Sequence, residues 1–240
     1  MSAPDWFAAL DGTWPAARYE RLGPVTLREG QGGGSRVSAA TVEGSFLPAD
    51  LEAAENAMRA MGQRPIFQVR PGQEALDTAL AERGHTPFDP VTIYACPVAQ
   101  LTDVPVPRMT VFEVWEPLAL MLDLWAEGGI GPARIAVMAR AKGPKTGLLG
   151  RFREKPAGVA YVAIHDGIAM LHALEVLPTQ RRSGMGRWFM RAAAHWAAKQ
   201  GAQTLSVMCT KANGPANGLY TSLNMAVVGE YHYRHLPTET

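Results

Sequence analysis

The amino-acid sequence predicts an α/β (α+β) fold built on a mixed central sheet with flanking helices. Three observations carry this. Up to about residue 100, strand-like runs rich in β-branched residues alternate with amphipathic runs of helical period. Further on, strands in hairpin succession are followed by a βαβαβ progression, which calls for helices on the sheet faces. Between two of those strands the dipeptide Asp166-Gly167 has the chemistry of a tight hairpin turn.

Taken in order, "GPVTLREGQGGGSRVSAATVEG" reads as two strands joined by the glycine-rich turn Gly30 to Gly34. "PADLEAAENAMRAMG" puts Leu51, Ala54, Ala57, Met58 and Met61 on one helical face, and Gly62 stops the helix. "RPIFQVR" is a strand, "PGQEALDTALAERGH" a helix closed by Gly84, and "PVTIYACPV" a further strand. The proline-spaced "LTDVPVPRM" marks a domain boundary near Val104 to Arg108, dividing residues 1–104 from residues 105–240. "MTVFEVW" then begins a second series, with helices at "EPLALMLDLWAEGG" and "GPARIAVMARAKG". Strands at "GLLGRF", "AGVAYVAIHDG" and "IAMLHALEVLP" come next. The series ends with a long helix after Gly184, a strand at "AQTLSVMCT", a helix at "PANGLYTSLNM" and a closing strand at "AVVGEYHYRHL".

Bulk properties narrow the function. The chain has 240 residues, 47% hydrophobic and 19% charged, enough for a sizeable core in one large or two small domains. Its 23 basic and 22 acidic residues create no overall field for nucleic acid or an anionic membrane. Cys96 and Cys209 are too few and too far apart for a disulfide framework or a zinc site, which fits a reducing cytoplasm. The start "MSAPDWFAAL" has no signal-peptide pattern, and no apolar run approaches the roughly 20 residues that span a bilayer.

The most informative stretch is "EVLPTQRRSGMGRWFMRAAAHWAAKQG", Glu175 to Gly201, where a strand gives way through a basic, glycine-interrupted turn to a long amphipathic helix. The first N–H groups of a helix have no intrahelical acceptor and the dipole there is positive, so the position favours anions. Gly184 and Gly186 remove side chains that would hold a ligand off the backbone, and Arg181 and Arg182 add charge-assisted donors. The turn is suited to a phosphate group.

The spacing of Val176, Pro178, Arg181, Gly184 and Gly186 resembles the V-x-P-x-x-R-x-x-G-x-G signature of the GNAT superfamily of N-acetyltransferases. "NGPANGLY", Asn213 to Tyr220, resembles that family's second motif, N-x-x-A-x-x-L-Y. At "LNM" the chain departs from the family's usual Leu-Gly-aromatic, and Asn224 can replace the glycine by adopting a left-handed conformation.

The resemblance implies a GNAT fold from about Val106 to Leu236, with acetyl-CoA as co-substrate and no metal. It implies that backbone groups of Leu174 to Val176 pair with the pantetheine arm, and that Arg181, Arg182, Ser183, Gly184, Met185 and Gly186 hold the pyrophosphate. Asn213 would contact the arm near the thioester. Tyr220 would sit beside the sulfur as general acid, the alternative being a packed amphipathic aromatic. Glu175 is a candidate general base, directly or through water, with a salt-bridged or surface carboxylate as the alternative. Strict alternation puts His172 on the opposite strand face from Glu175 unless a bulge intervenes, and its reading is structural. The cluster Tyr231 to His235 is a candidate lining for the acceptor pocket.

The N-terminal half is similar in plan. Matching Gly84 to Asn224 sets Gln73 opposite Asn213 and Leu80 opposite Tyr220. Its strand-to-helix junction, "TVEGSFLPADLEAA", lacks R-x-x-G-x-G and carries acidic residues, so it reads as a degenerate GNAT-like copy that binds no coenzyme. The expected acceptor is a primary amine on a small molecule or amino acid. A non-catalytic acyl-CoA sensor and a protein N-terminal or lysine acetyltransferase are the alternatives, and a homodimer is a candidate assembly.

Overall fold

The computed structural model describes residues 4–237. Its contacts group into two compact units interleaved along the chain. Of the described residues, one comprises 4–15, Ile93–Cys209 and Gly214–Val228; the other comprises Ala16–Thr92, Thr210–Asn213 and 229–237. A single cut near residue 104 does not produce this division, because the first helix and the last strand contribute to units far from them in sequence.

The first unit opens with α1 (Trp6–Thr13), whose N-cap Asp5 accepts from the N–H groups of Phe7 and Ala8 at 3.0 and 2.9 Å. This helix had no sequence expectation. The sheet runs in the order β5-β10-β9-β8-β7-β6. It is built from the latter part of β5 (Thr86–Pro97) together with β6 (Val111–Val114), β7 (Lys145–Phe152), β8 (Lys155–His165), β9 (Ile168–Val176) and β10 (Thr204–Thr210). Strands β6 to β9 form an antiparallel meander, and β9 pairs parallel with β10, so the sheet is mixed as expected.

Helices cover both sheet faces because side chains alternate. On β8, Ala160 and Val162 join the apolar cluster of Phe189, Met190, Ala193 and Ala197 from α8 (Met185–Lys199). Tyr161, between them, points the other way to Trp14 and His172, with ring centroids 6.0 and 6.1 Å distant. Also in this unit are α5 (Val98–Leu101), α6 (Ala119–Glu127), α7 (Pro132–Arg140) and α9 (Gly214–Ser222).

In the second unit, β1 (Arg18–Leu22), β2 (Val25–Glu29) and β3 (Thr41–Val42) make a three-stranded antiparallel sheet. The expected simple hairpin at Gly30 to Gly34 is corrected here, since a helical turn, α2 (Ser35–Ser38), is inserted before β3. The glycines permit this fold-back: a Cβ on Gly30 would fall 2.1 Å from Ser38 Oγ, and Gly34 has φ +95°. α3 (Pro48–Ala60) buries Leu51, Ala54 and Met58 against Val25, Leu27, Phe67 and Val69. β4 (Ile66–Val69) pairs antiparallel with the end of β11 (Ala226–His235), setting Val69 opposite His232, and α4 (Glu74–Glu82) completes the unit.

Helices α4 and α9 end alike. His85 N–H bonds to Leu80 O and Gly84 N–H to Ala81 O; Met225 N–H bonds to Tyr220 O and Asn224 N–H to Thr221 O. Each is a Schellman closure with a left-handed residue, Gly84 at φ +84° and Asn224 at φ +54°. Asn224 therefore takes the conformation expected of a glycine substitute. Among the described residues no helix is long and apolar enough to cross a membrane.

Candidate active site

The ladder between β9 and β10 ends at Leu171 opposite Val207, while β9 continues along β8 as far as Val176. Beyond Leu171, the edge of β9 turned away from β8 runs directly into the phosphate-type turn. Pro178–Gln180 form a 3₁₀ turn, Arg182 takes φ +62°, and Gly184 takes φ +85° as N-cap of α8. The first turn of α8 contains no acidic residue, so nothing there competes with an anion for its N–H groups.

The two glycines have different reasons. A Cβ on Gly184 would meet nothing within 4 Å, so its need is the left-handed backbone and the open approach. A Cβ on Gly186 would lie 2.9 Å from Leu219 Cδ2, so that glycine serves the packing of α8 on α9. Arg181 and Arg182 are exposed, and Arg181 Nε donates to Val176 O at 3.2 Å, tying the turn to its strand. Ser183 Oγ donates to Gln180 O. The Met185 side chain is buried beside Phe189, leaving only its backbone to offer a ligand.

Opposite the turn, Glu175 lines a cavity of about 120 Å³ together with Leu124, Glu127, Gly128, Gly158, Val176, Leu177, Pro178 and Arg181. Burial pushes its carboxyl above the usual glutamate range, and the nearby charges of Arg181 and Arg134 only partly oppose this. How the side chain reaches the cavity is set by a bulge. Val159 faces Glu175 and Tyr161 faces His172, so one residue on β8 spans two on β9, and Ala173 takes φ +51°. The extra residue reverses the alternation and brings His172 and Glu175 to the same face. His172 itself is buried, 2.9 Å from Thr13 Oγ1 and 5.0 Å centroid to centroid from Trp14, in keeping with a structural reading.

Tyr220 is buried in the apolar cluster of the first unit, its ring 5.4 Å from that of Tyr94, whose hydroxyl donates to Asn217 Oδ1 at 3.0 Å. Asn213 is exposed in the turn before α9. Thus Glu175, Val176 and Arg181 share one cavity, while Tyr220 and Asn213 do not line it. Sequence reasoning did not single out Trp125, Gly128 or Arg134; "EGG" entered only as the end of the run "EPLALMLDLWAEGG" read as a helix.

Residues 115–225 match the profile of the acetyltransferase (GNAT) family. The matched residues include the site just described. Over 232 residues the protein is 24% identical to the uncharacterized N-acetyltransferase YobR of Bacillus subtilis (strain 168), covering 92% of this chain and 94% of that one. Among solved structures, a GCN5-related N-acetyltransferase from Kribbella flavida superposes with TM-score 0.71 at 20% identity, covering 96% and 93% of the two chains. A tandem GNAT protein from the clavulanic acid biosynthesis pathway gives TM-score 0.62 at 15% identity, covering 90% and 79%.

Proposed function

We propose that residues 115–225 are a GNAT acetyltransferase domain that transfers an acetyl group from acetyl-CoA to a primary amine, of a small molecule or amino acid, by direct attack. One observation carries the reading: a strand edge that leaves its ladder at Leu171, places Glu175 in a cavity, and runs into an anion-suited loop at Gly184. The pantetheine amides would lie along Leu174 to Val176 and the pyrophosphate over the first turn of α8. The acceptor amine nitrogen would attack the thioester carbonyl carbon while Glu175, ionised, takes its proton directly or through water. The C–S bond then breaks, and the Tyr220 hydroxyl gives its proton to the departing thiolate. A carboxyl raised by burial suits a base working near neutral pH.

The second unit is proposed as a GNAT-like copy that binds no coenzyme. Where α8 offers open N–H groups, the start of α3 is occupied by its own acid, since Leu47 N–H donates to Asp50 Oδ2 at 2.7 Å. Gln73, the counterpart of Asn213, is also committed locally, accepting from Arg70 N–H at 2.9 Å and donating to Val42 O at 2.7 Å.

The test is thiol release from acetyl-CoA against a broad panel of primary amines, with one coenzyme expected per chain by calorimetry. Coenzyme binding without turnover of any amine would favour the sensor reading. Turnover of peptide amines alone would favour protein modification.

A further inference from the structure

The end of α6 is built around Glu175. Trp125, fully buried, points its indole N–H at Ala173 and donates to that carbonyl at 2.9 Å, at the bulge that turns Glu175 toward the cavity. A Cβ on Gly147 of β7 would meet Met121 Cε at 2.6 Å, Val114 O at 2.8 Å and Trp125 Cη2 at 3.7 Å, so the indole lies within ordinary van der Waals reach of that strand. Three residues on, a Cβ at Gly128 would fall 2.6 Å from Glu175 Cγ and 2.8 Å from Cδ, so the carboxyl occupies the space that a side chain there would need. Neither residue can drift, because the helix ends in a Schellman closure: Ile130 N–H bonds to Trp125 O at 2.8 Å and Gly129 N–H to Ala126 O at 3.0 Å.

We propose that Trp125 and Gly128 are positioning residues for the Glu175 carboxyl, the first holding the bulge and the second shaping the seat. This rests on the reading of Glu175 as the base. Gly128 has φ −81° and ψ 5°, a conformation open to any residue, so its glycine is explained by the contact with Glu175 and not by the backbone. The charged groups around the carboxyl are Arg134 on α7, Arg181 after β9 and Glu127 on α6.

The experiment compares Gly128→Ala and Trp125→Phe in the wild-type and Glu175→Gln backgrounds. It reads kcat against pH, acetyl-CoA affinity by calorimetry, and the titration of the Glu175 carboxyl by ¹³C NMR. Gly128→Ala is the safer variant, since it tolerates its backbone; Trp125→Phe should act in the same direction if it folds. Gly128→Ala is expected to lower kcat roughly 10- to 100-fold, as misplacement of a reacting group does, with coenzyme affinity unchanged. It should also move the carboxyl titration down toward an ordinary glutamate, because the group is displaced toward water. In the Glu175→Gln background it should cost nothing further. An equal loss in that background, or a Glu175 titration matching the wild type, would overturn the proposal. If Glu175→Gln alone keeps full turnover, the base reading fails, and the carboxyl titration still decides the seating.

Discussion

His85 Nε2 lies 3.0 Å from Glu55 Oε1, with both side chains inside the second unit. Arg83 Nε also donates to Oε1, at 2.9 Å. Burial pushes Glu55 upward, but Arg83 and His85 together outweigh it and hold the carboxyl below its usual range. Burial lowers His85, against partial opposition from Glu55. Both folded pKa values lie below their unfolded ones, so both contributions are present above the unfolded values and lost on acidification. His85 should weaken the fold as pH drops below about 6.5, and Glu55 below about 4.3. The urea midpoint should therefore fall from pH 7 to pH 4, and His85→Gln should flatten the part above pH 5. Glu55→Ala should cost about 3 kcal/mol at pH 7 by stranding its partners. A wild-type midpoint constant from pH 7 to 5 would contradict this.

Gly184→Glu should abolish measurable acetyl-CoA binding while the protein stays folded, since it adds bulk and negative charge where the loop is open. Gly184→Ala is the control. It meets no neighbour but must adopt φ +85°, costing about 1 kcal/mol of stability, and should weaken binding far less. Native affinity in the glutamate variant would remove the loop from the coenzyme site.

Gly186→Ala tests the other glycine. Its methyl meets the flexible end of Leu219, so the cost should be about 1 kcal/mol or less and should vanish when combined with Leu219→Ala. Chemical denaturation and calorimetry together check this. A large loss of coenzyme affinity in the single variant, not restored in the double, would mean that Gly186 meets the ligand after all.

Tyr220→Phe keeps the ring in its cluster and removes only the hydroxyl. With the proton source gone, kcat should fall by about 10²-fold while the acetyl-CoA KM hardly changes. Tyr220→Ala should instead lower stability by about 3 kcal/mol, because the ring is buried beside Tyr94. If the phenylalanine variant turns over at the wild-type rate, the thiolate takes its proton elsewhere.

Sequence reasoning reached most elements after residue 48 because their ends carry chemistry. Gly62, Gly84 and Asn224 each terminate a helix in the left-handed conformation. It missed α1, since "WFAALDGT" is barely two turns long and shows no clear stripe. The turn between β9 and α8 was legible because Pro178, Arg181 and Gly184 shape it through local backbone and hydrogen bonding. The bulge was not: a left-handed Ala173 has no signature of its own and is imposed by β8 pairing and by Trp125, 48 residues away along the chain. Gly128 was equally opaque, its space being claimed by a side chain from another element.

Strand β11 reaches its partners late. His232 and Arg234 bind Asp77 across 155 and 157 residues of chain, and β11 is needed to finish the sheet that β4 begins. At about 5 to 20 residues per second, a ribosome takes roughly 10 to 30 s to supply those residues after Asp77 has been made. During that interval β4 lacks its neighbour and presents a row of backbone donors and acceptors to any passing strand. The first half of the chain is thus a nascent segment that must wait for the last, and an expression fragment ending near residue 104 should aggregate rather than fold.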